Sequence, residues 1–116
     1  MGAFVPVAKI DELAEGAMKE VEVQGHELLL AMIGGKYFAT DGRCPHMGGR
    51  LAQGKLEGTV VTCPRHGSQF DISNGQIVRW LKGAGLLSSV GKALKGPKQL
   101  GTYRTKVEGD SIMVEI

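Results

Sequence analysis

Turn signals recur along this chain at intervals of about eight to ten residues, which suits short antiparallel strands and leaves little length for helices. Gln24-Gly25-His26, Gly34-Gly35, Ser73-Asn74-Gly75-Gln76 and Glu108-Gly109-Asp110 separate strand-like stretches at 18–23, 27–33, 36–40, 69–72, 77–80, 101–107 and 111–116. Residues 4–8 and 59–62 read as two further strands. The run from Glu27 to Ile33 is apolar but too short for most helices, and Asn74-Gly75 is the strongest hairpin dipeptide. Helical signals are confined to one turn at 11–16, closed by Gly16, and to 81–98, where Leu86, Leu87, Val90 and Leu94 fall at helical spacing. The expectation is a mostly β, antiparallel small sandwich or barrel with one short helical insertion. At 116 residues the chain fits a single domain, 1–116.

Composition removes several functional classes. A formal charge of +2, mixed with acids, and six aromatic residues argue against nucleic acid as a partner. Residues 1–10 have no basic segment or apolar run suited to a signal peptide, and nowhere do about 18 apolar residues follow one another. Pro6 stands where a myristoylation signal beginning at Gly2 would need Ser or Thr. A cytoplasmic protein without a membrane partner is expected. In that compartment the two cysteines are better ligands or reactive thiols than a disulfide.

Glycine is the compositional outlier, 18 of 116 residues against a usual level of roughly 7%. It concentrates where the cysteines lie. Residues 41–54 hold four glycines and a proline, so their backbone cannot be regular, and something must organise it. Cys44-Pro45-His46 and Cys63-Pro64-Arg65-His66, with sixteen residues between them, each offer one thiolate and one imidazole. Thiolate with imidazole suits zinc, copper(I) and iron–sulfur. A zinc finger of the two-Cys, two-His kind draws both cysteines from one turn and both histidines from one helix, which makes zinc the second choice here. Two irons in different ligand fields, one taking both cysteines and the other both histidines, match two equivalent loops.

On Cys44-Pro45-His46-Met47-Gly48 and Cys63-Pro64-Arg65-His66-Gly67-Ser68-Gln69-Phe70-Asp71, followed by Asn74-Gly75, the sequence resembles the Rieske family. The resemblance implies the antiparallel Rieske fold, with a cluster-binding subdomain at about 41–80 and a probable insertion at 81–98. It implies that Cys44 and Cys63 bind the inner iron, and His46 and His66 the outer iron, of one [2Fe–2S] cluster. Gly48, Gly49 and Gly67 would let amides approach the sulfurs, Ser68 would add a hydroxyl donor, and Met47 and Arg65 would adjoin the cluster. Pro97 sits where the family has a proline-containing loop over the cluster. Lys82, Lys92, Lys95, Lys98, Arg104 and Lys106 are candidates to steer an acidic partner, with Arg65, Lys92, Lys95 and Lys98 the docking candidates near the cluster.

Departures from the quinol-oxidising branch are informative. That branch adds a second cysteine to each loop and a membrane anchor; here the corresponding positions are Gly49 and Arg65, and Phe70 lacks the tyrosine hydroxyl. The ferredoxin branch is indicated, at the lower part of the family's roughly −150 to +300 mV range. The implied function is that of a one-electron carrier, not an enzyme, between a reductase and a terminal oxygenase or other redox enzyme. A mononuclear oxygenase iron needs two histidines and a carboxylate, and only His26 is left over. The alternative is a small Rieske-like accessory subunit of a larger complex, such as a nitrite reductase.

Overall fold

The computed structural model describes residues 2–45, 48–65, 67–80 and 98–116. Eleven strands occur among them, and the helical signals at the N-terminal end reduce to one 3-10 turn, Ile10–Glu12, while a second 3-10 turn covers Leu51–Gln53. The helix expected within 81–98 falls outside the described residues, Lys98 excepted.

Strands β1 (Phe4–Lys9), β2 (Met18–Val23), β3 (His26–Ile33) and β4 (Lys36–Asp41) lie where the turn signals set them. Then come β5 (Lys55–Glu57), β6 (Val60–Thr62), β7 (Gln69–Asp71), β8 (Ile77–Arg79), β9 (Thr102–Tyr103), β10 (Thr105–Glu108) and β11 (Ser111–Glu115). Three antiparallel sheets result, ordered β1-β11-β10, β2-β3-β4-β9 and β5-β6-β7-β8.

The continuous apolar character of β3 has a direct cause. Leu28 and Leu30, on one face of the strand, pack with Val21, Ala39, Ile112 and Val114. Leu29 and Ala31, on the other, pack with Leu51, Val61, Phe70, Ile72, Trp80 and both cysteines. All four β3 residues are at most 1% exposed. A strand covered on both faces loses the polar alternation of an ordinary antiparallel strand, and each fully buried leucine contributes about 1.5–3 kcal/mol of transfer free energy. The middle sheet therefore separates two cores, of which the second carries the cysteines.

Two expectations about strands need correction. Lys55–Glu57 forms β5, although three residues without a β-branched member give almost no strand signal. The expected single strand at 101–107 is broken at Arg104: Thr102 and Tyr103 pair with β4, whereas Thr105 to Glu108 pair with β11. One segment thus joins the outer sheet to the middle one, a long-range choice that local pattern does not encode.

Candidate metal centre

Cys44 and Cys63 are buried, neither is in a disulfide, and they share one core cluster. Their loops have the same hydrogen bonds. The amide of Cys44 donates to the carbonyl of Gly49, and that of Cys63 to the carbonyl of Ser68, each at 2.8 Å. The amide of Gly48 donates back to the Cys44 carbonyl at 2.8 Å, and that of Gly67 to the Cys63 carbonyl at 3.1 Å. Gly48 and Gly67 have φ of 75° and 76°, a left-handed backbone that side chains resist. Cysteine, then glycine four residues on, then an acceptor carbonyl five residues on is therefore a folded unit that occurs twice.

An arginine holds each unit from outside. Nη1 of Arg43 donates to the Gly48 carbonyl, and Nε of Arg79 donates to the Gly67 carbonyl, both at 3.1 Å. Arg43 also pairs with Glu27 at 3.0 Å, and the hydrogen bond to that carboxylate raises the guanidinium's pKa. Neither arginine stands out in the sequence. The signal that could have found them is positional, since Arg43 directly precedes Cys44 and Arg79 is paired with Gln69 at the exit of the second loop.

The first loop is further fixed at its base. The Asp41 carboxylate accepts from the amide of Gly101 at 3.1 Å and from the Tyr103 hydroxyl at 2.5 Å. Burial pushes the Tyr103 pKa up to about 12, and the bond to Asp41 adds to that. The Gly42 amide donates to the Glu27 carbonyl and the Leu51 amide to the Gly42 carbonyl, closing the loop above an isolated bridge between Arg43 and Arg50.

The space beside the Cys63 sulfur is limited. A Cβ on Gly49 would lie 2.7 Å from Sγ of Cys63 and 2.9 Å from Cγ of Arg65. One loop's glycine thus faces the other loop's thiol, with the stem of Arg65 across it. The Ser68 side chain is fully buried, and its hydroxyl donates to the Trp80 carbonyl, so its single proton points to the sheet. Phe70 and Trp80 meet edge to face behind the loop, with ring centroids 6.3 Å apart.

His46, His66, Met47 and Pro97 lie outside the described residues. Among the described residues no three His, Cys, Asp or Glu side chains converge as metal ligands. His26, given no role from its sequence context, is exposed at the start of β3. Arg104 and Lys106 are not part of the loop region: they lie on or beside the β1-β11-β10 sheet, paired with Glu115 and Glu108 respectively.

Two buried cysteines on twin loops, neither in a disulfide, with a cradle beside one sulfur that a single Cβ would fill, fit a compact sulfur-rich cofactor. They point to the class of iron–sulfur proteins. The family model of the Rieske [2Fe-2S] domain matches residues 3–88, and the chain belongs to that family, with a Rieske-type [2Fe–2S] cluster as its cofactor. The ferredoxin component of a naphthalene 1,2-dioxygenase system from Pseudomonas aeruginosa is 31% identical over 115 residues, 97% of this chain and 95% of the relative. The ferredoxin component of biphenyl 2,3-dioxygenase from Rhodococcus jostii (strain RHA1) is 30% identical over 98% of this chain and 94% of the relative. The solved ferredoxin of carbazole 1,9a-dioxygenase from Nocardioides aromaticivorans IC177 has the same fold, with a TM-score of 0.78 at 24% identity, covering 97% of this chain and 96% of that one. No helix among the described residues is long and apolar enough to cross a membrane.

Proposed function

We propose that this protein carries single electrons from a reductase to a terminal oxygenase, with no substrate turnover of its own, and that it works in the cytoplasm. The observation that carries the reading is likeness along nearly the whole chain to ferredoxin components of dioxygenase systems, joined to buried Cys44 and Cys63 on equivalent loops. The cluster supplies a site that accepts and gives up one electron without breaking bonds in a substrate. We assign Cys44 and Cys63 to one iron and His46 and His66 to the other, with Met47, Gly48, Gly49, Arg65, Gly67, Ser68 and Pro97 around them. Residues 41–80 form the cluster-binding subdomain of a single domain, and 81–98 an insertion.

The protein's own residues favour fast exchange by staying still. Left-handed Gly48 and Gly67 lock the loops, Arg43 and Arg79 hold their carbonyls, and the core of Phe70, Ile72 and Trp80 backs the thiols. Loops fixed in this way need little rearrangement when charge changes, which is the protein's share in electron transfer.

The test uses reduced holoprotein mixed in a stopped-flow apparatus with the terminal oxygenase and, separately, oxidised holoprotein with the reduced reductase. One electron per chain should pass in each direction, and the oxygenase should turn over only when all three are present. Oxidation of an aromatic substrate by this protein and dioxygen alone would contradict the proposal.

A further inference from the structure

The net charge of +2 conceals a segregation that sequence averages missed. Residues 42–107 hold eleven Lys and Arg but two carboxylates, Glu57 and Asp71, whereas the remainder holds three Lys and ten carboxylates. Folding sharpens the contrast. Lys9, Lys19, Arg43, Arg50, Arg104 and Lys106 each pair with a carboxylate. Among the described residues Lys36, Lys55, Arg65, Arg79 and Lys98 do not, and the residues outside the description contain no Asp or Glu.

Three of those five unpaired cations line one groove. Lys55, Arg65 and Arg79 surround an opening that reaches the Cys63 loop, and no carboxylate lines it. Strand register explains the arrangement: Lys55 pairs with Thr62, Thr62 with Gln69 and Gln69 with Arg79. These four form one row across the β5-β6-β7-β8 sheet, on the face opposite buried Val61 and Phe70. Gln69 donates to the Thr62 hydroxyl at 3.1 Å, so the middle of the row is satisfied within the protein and its two ends are cationic. Glu57 and Asp71 follow two positions further from the loop on the same face, which gives that face a direction, positive toward the cysteine and negative away from it.

We infer that this groove docks an acidic segment of the electron-transfer partner, with Lys55, Arg65 and Arg79 meeting its Asp and Glu side chains beside the Cys63 loop. The inference rests on the electron-carrier reading above and adds the partner's chemistry. Long-range attraction of an acidic segment to this positively charged patch speeds encounter, and the reversed charge two residues away penalises a docked partner turned end for end. Lys98 is exposed beside the Cys44 loop, but the opening it lines also carries Glu27 and Asp41, so the carboxylate-free surface is confined to the Cys63 side.

The probe is a hexaglutamate peptide, titrated into isotopically labelled holoprotein at about 20 mM and about 200 mM salt, with a six-nucleotide single-stranded DNA as the competing polyanion. Iron and sulfide are measured on every sample, so loss of the cluster, which would defeat the electron-carrier reading, is separated from loss of docking. Lys55→Glu and Arg65→Glu are compared with Lys36→Glu, which makes the same charge change at the β3–β4 turn. Peptide-induced NMR shifts should centre on Lys55 and Thr62, affinity should fall about tenfold or more in Lys55→Glu and in high salt, and Lys36→Glu should stay within about twofold of the parent. Equal losses in Lys55→Glu and Lys36→Glu, shifts centred elsewhere, or tighter binding of the DNA than of the peptide would overturn the inference.

Discussion

The two cysteine loops have the same backbone hydrogen bonds but grow from different scaffolds. The second is a hairpin loop, since Thr62 and Gln69 at its ends are paired neighbours in adjacent strands. The first crosses from the middle sheet to the third, and has to supply its own closure through the Arg43–Arg50 bridge, the Asp41 contacts and buried Leu51. Their fifth positions differ for a related reason. Gly49 faces the Cys63 thiol and has no room for a Cβ, whereas Ser68 faces the sheet and uses its side chain to hold Trp80. Equivalent backbone geometry thus demands unlike residues wherever the surroundings of the two loops differ.

The comparison can be broken most severely at the thiols. Cys44→Ala or Cys63→Ala should abolish cluster incorporation, read as loss of iron, sulfide and visible absorbance, because each removes a proposed ligand that the opposite loop cannot replace. Equal loss from both variants would show that the loops act as one site.

Smaller changes at the fifth positions add bulk in one loop and remove a hydroxyl in the other, and should differ in their effect on iron content. Gly49→Ala adds a methyl 2.7 Å from a sulfur and should cost about 1–3 kcal/mol by overpacking, with lower iron content. Ser68→Ala removes a buried hydroxyl and its bond to the Trp80 carbonyl, at about 0.5–1.5 kcal/mol, with iron content kept near the parent's. Denaturant melts alongside iron analysis would separate the two; the account fails on this point if Gly49→Ala loads and melts like the parent.

Next in size are the arginines. Arg79→Gln should lower stability by about 0.5–1.5 kcal/mol, since its bond to Gly67 is partly buried. Arg43→Gln should cost less, about 0–1 kcal/mol, because Arg43 and its partner Glu27 are exposed. Amide exchange should quicken at 44–49 in the second variant and at 63–68 in the first.

A last effect concerns the first loop and depends on alkaline pH. Tyr103, whose ordinary pKa of 10.0 is raised to about 12, holds its proton more firmly in the folded state than in the unfolded chain. Its contribution is therefore fully present below about pH 10 and is lost as pH rises toward about 12. Tyr103→Phe should flatten the stability profile across that window and cost about 1 kcal/mol at neutral pH.

Much of this was legible in the residues. The turn glycines and the double-sided apolar run of β3 mark the strands, and the Cys-x-His and Cys-x-x-His spacing marks the family. What stayed hidden depends on distant partners. Nothing local separates Thr102-Tyr103 from Thr105–Glu108, because their sheets are chosen by Asp41 and by β11. Arg43 and Arg79 look like ordinary surface cations until the two glycine carbonyls are placed against them. The basic groove escaped because net charge averages over a chain whose acids lie mostly in the first 41 residues.

The central claim is that two equivalent loops of unlike donors hold two inequivalent irons. Mössbauer spectroscopy of the iron-57-enriched oxidised protein, with iron and sulfide determined on the same sample, tests it most directly. The account predicts two irons and two sulfides per chain and two quadrupole doublets of equal area, one from an all-sulfur site and one from a site with nitrogen ligands. A single doublet, or one zinc per chain without sulfide, would contradict it.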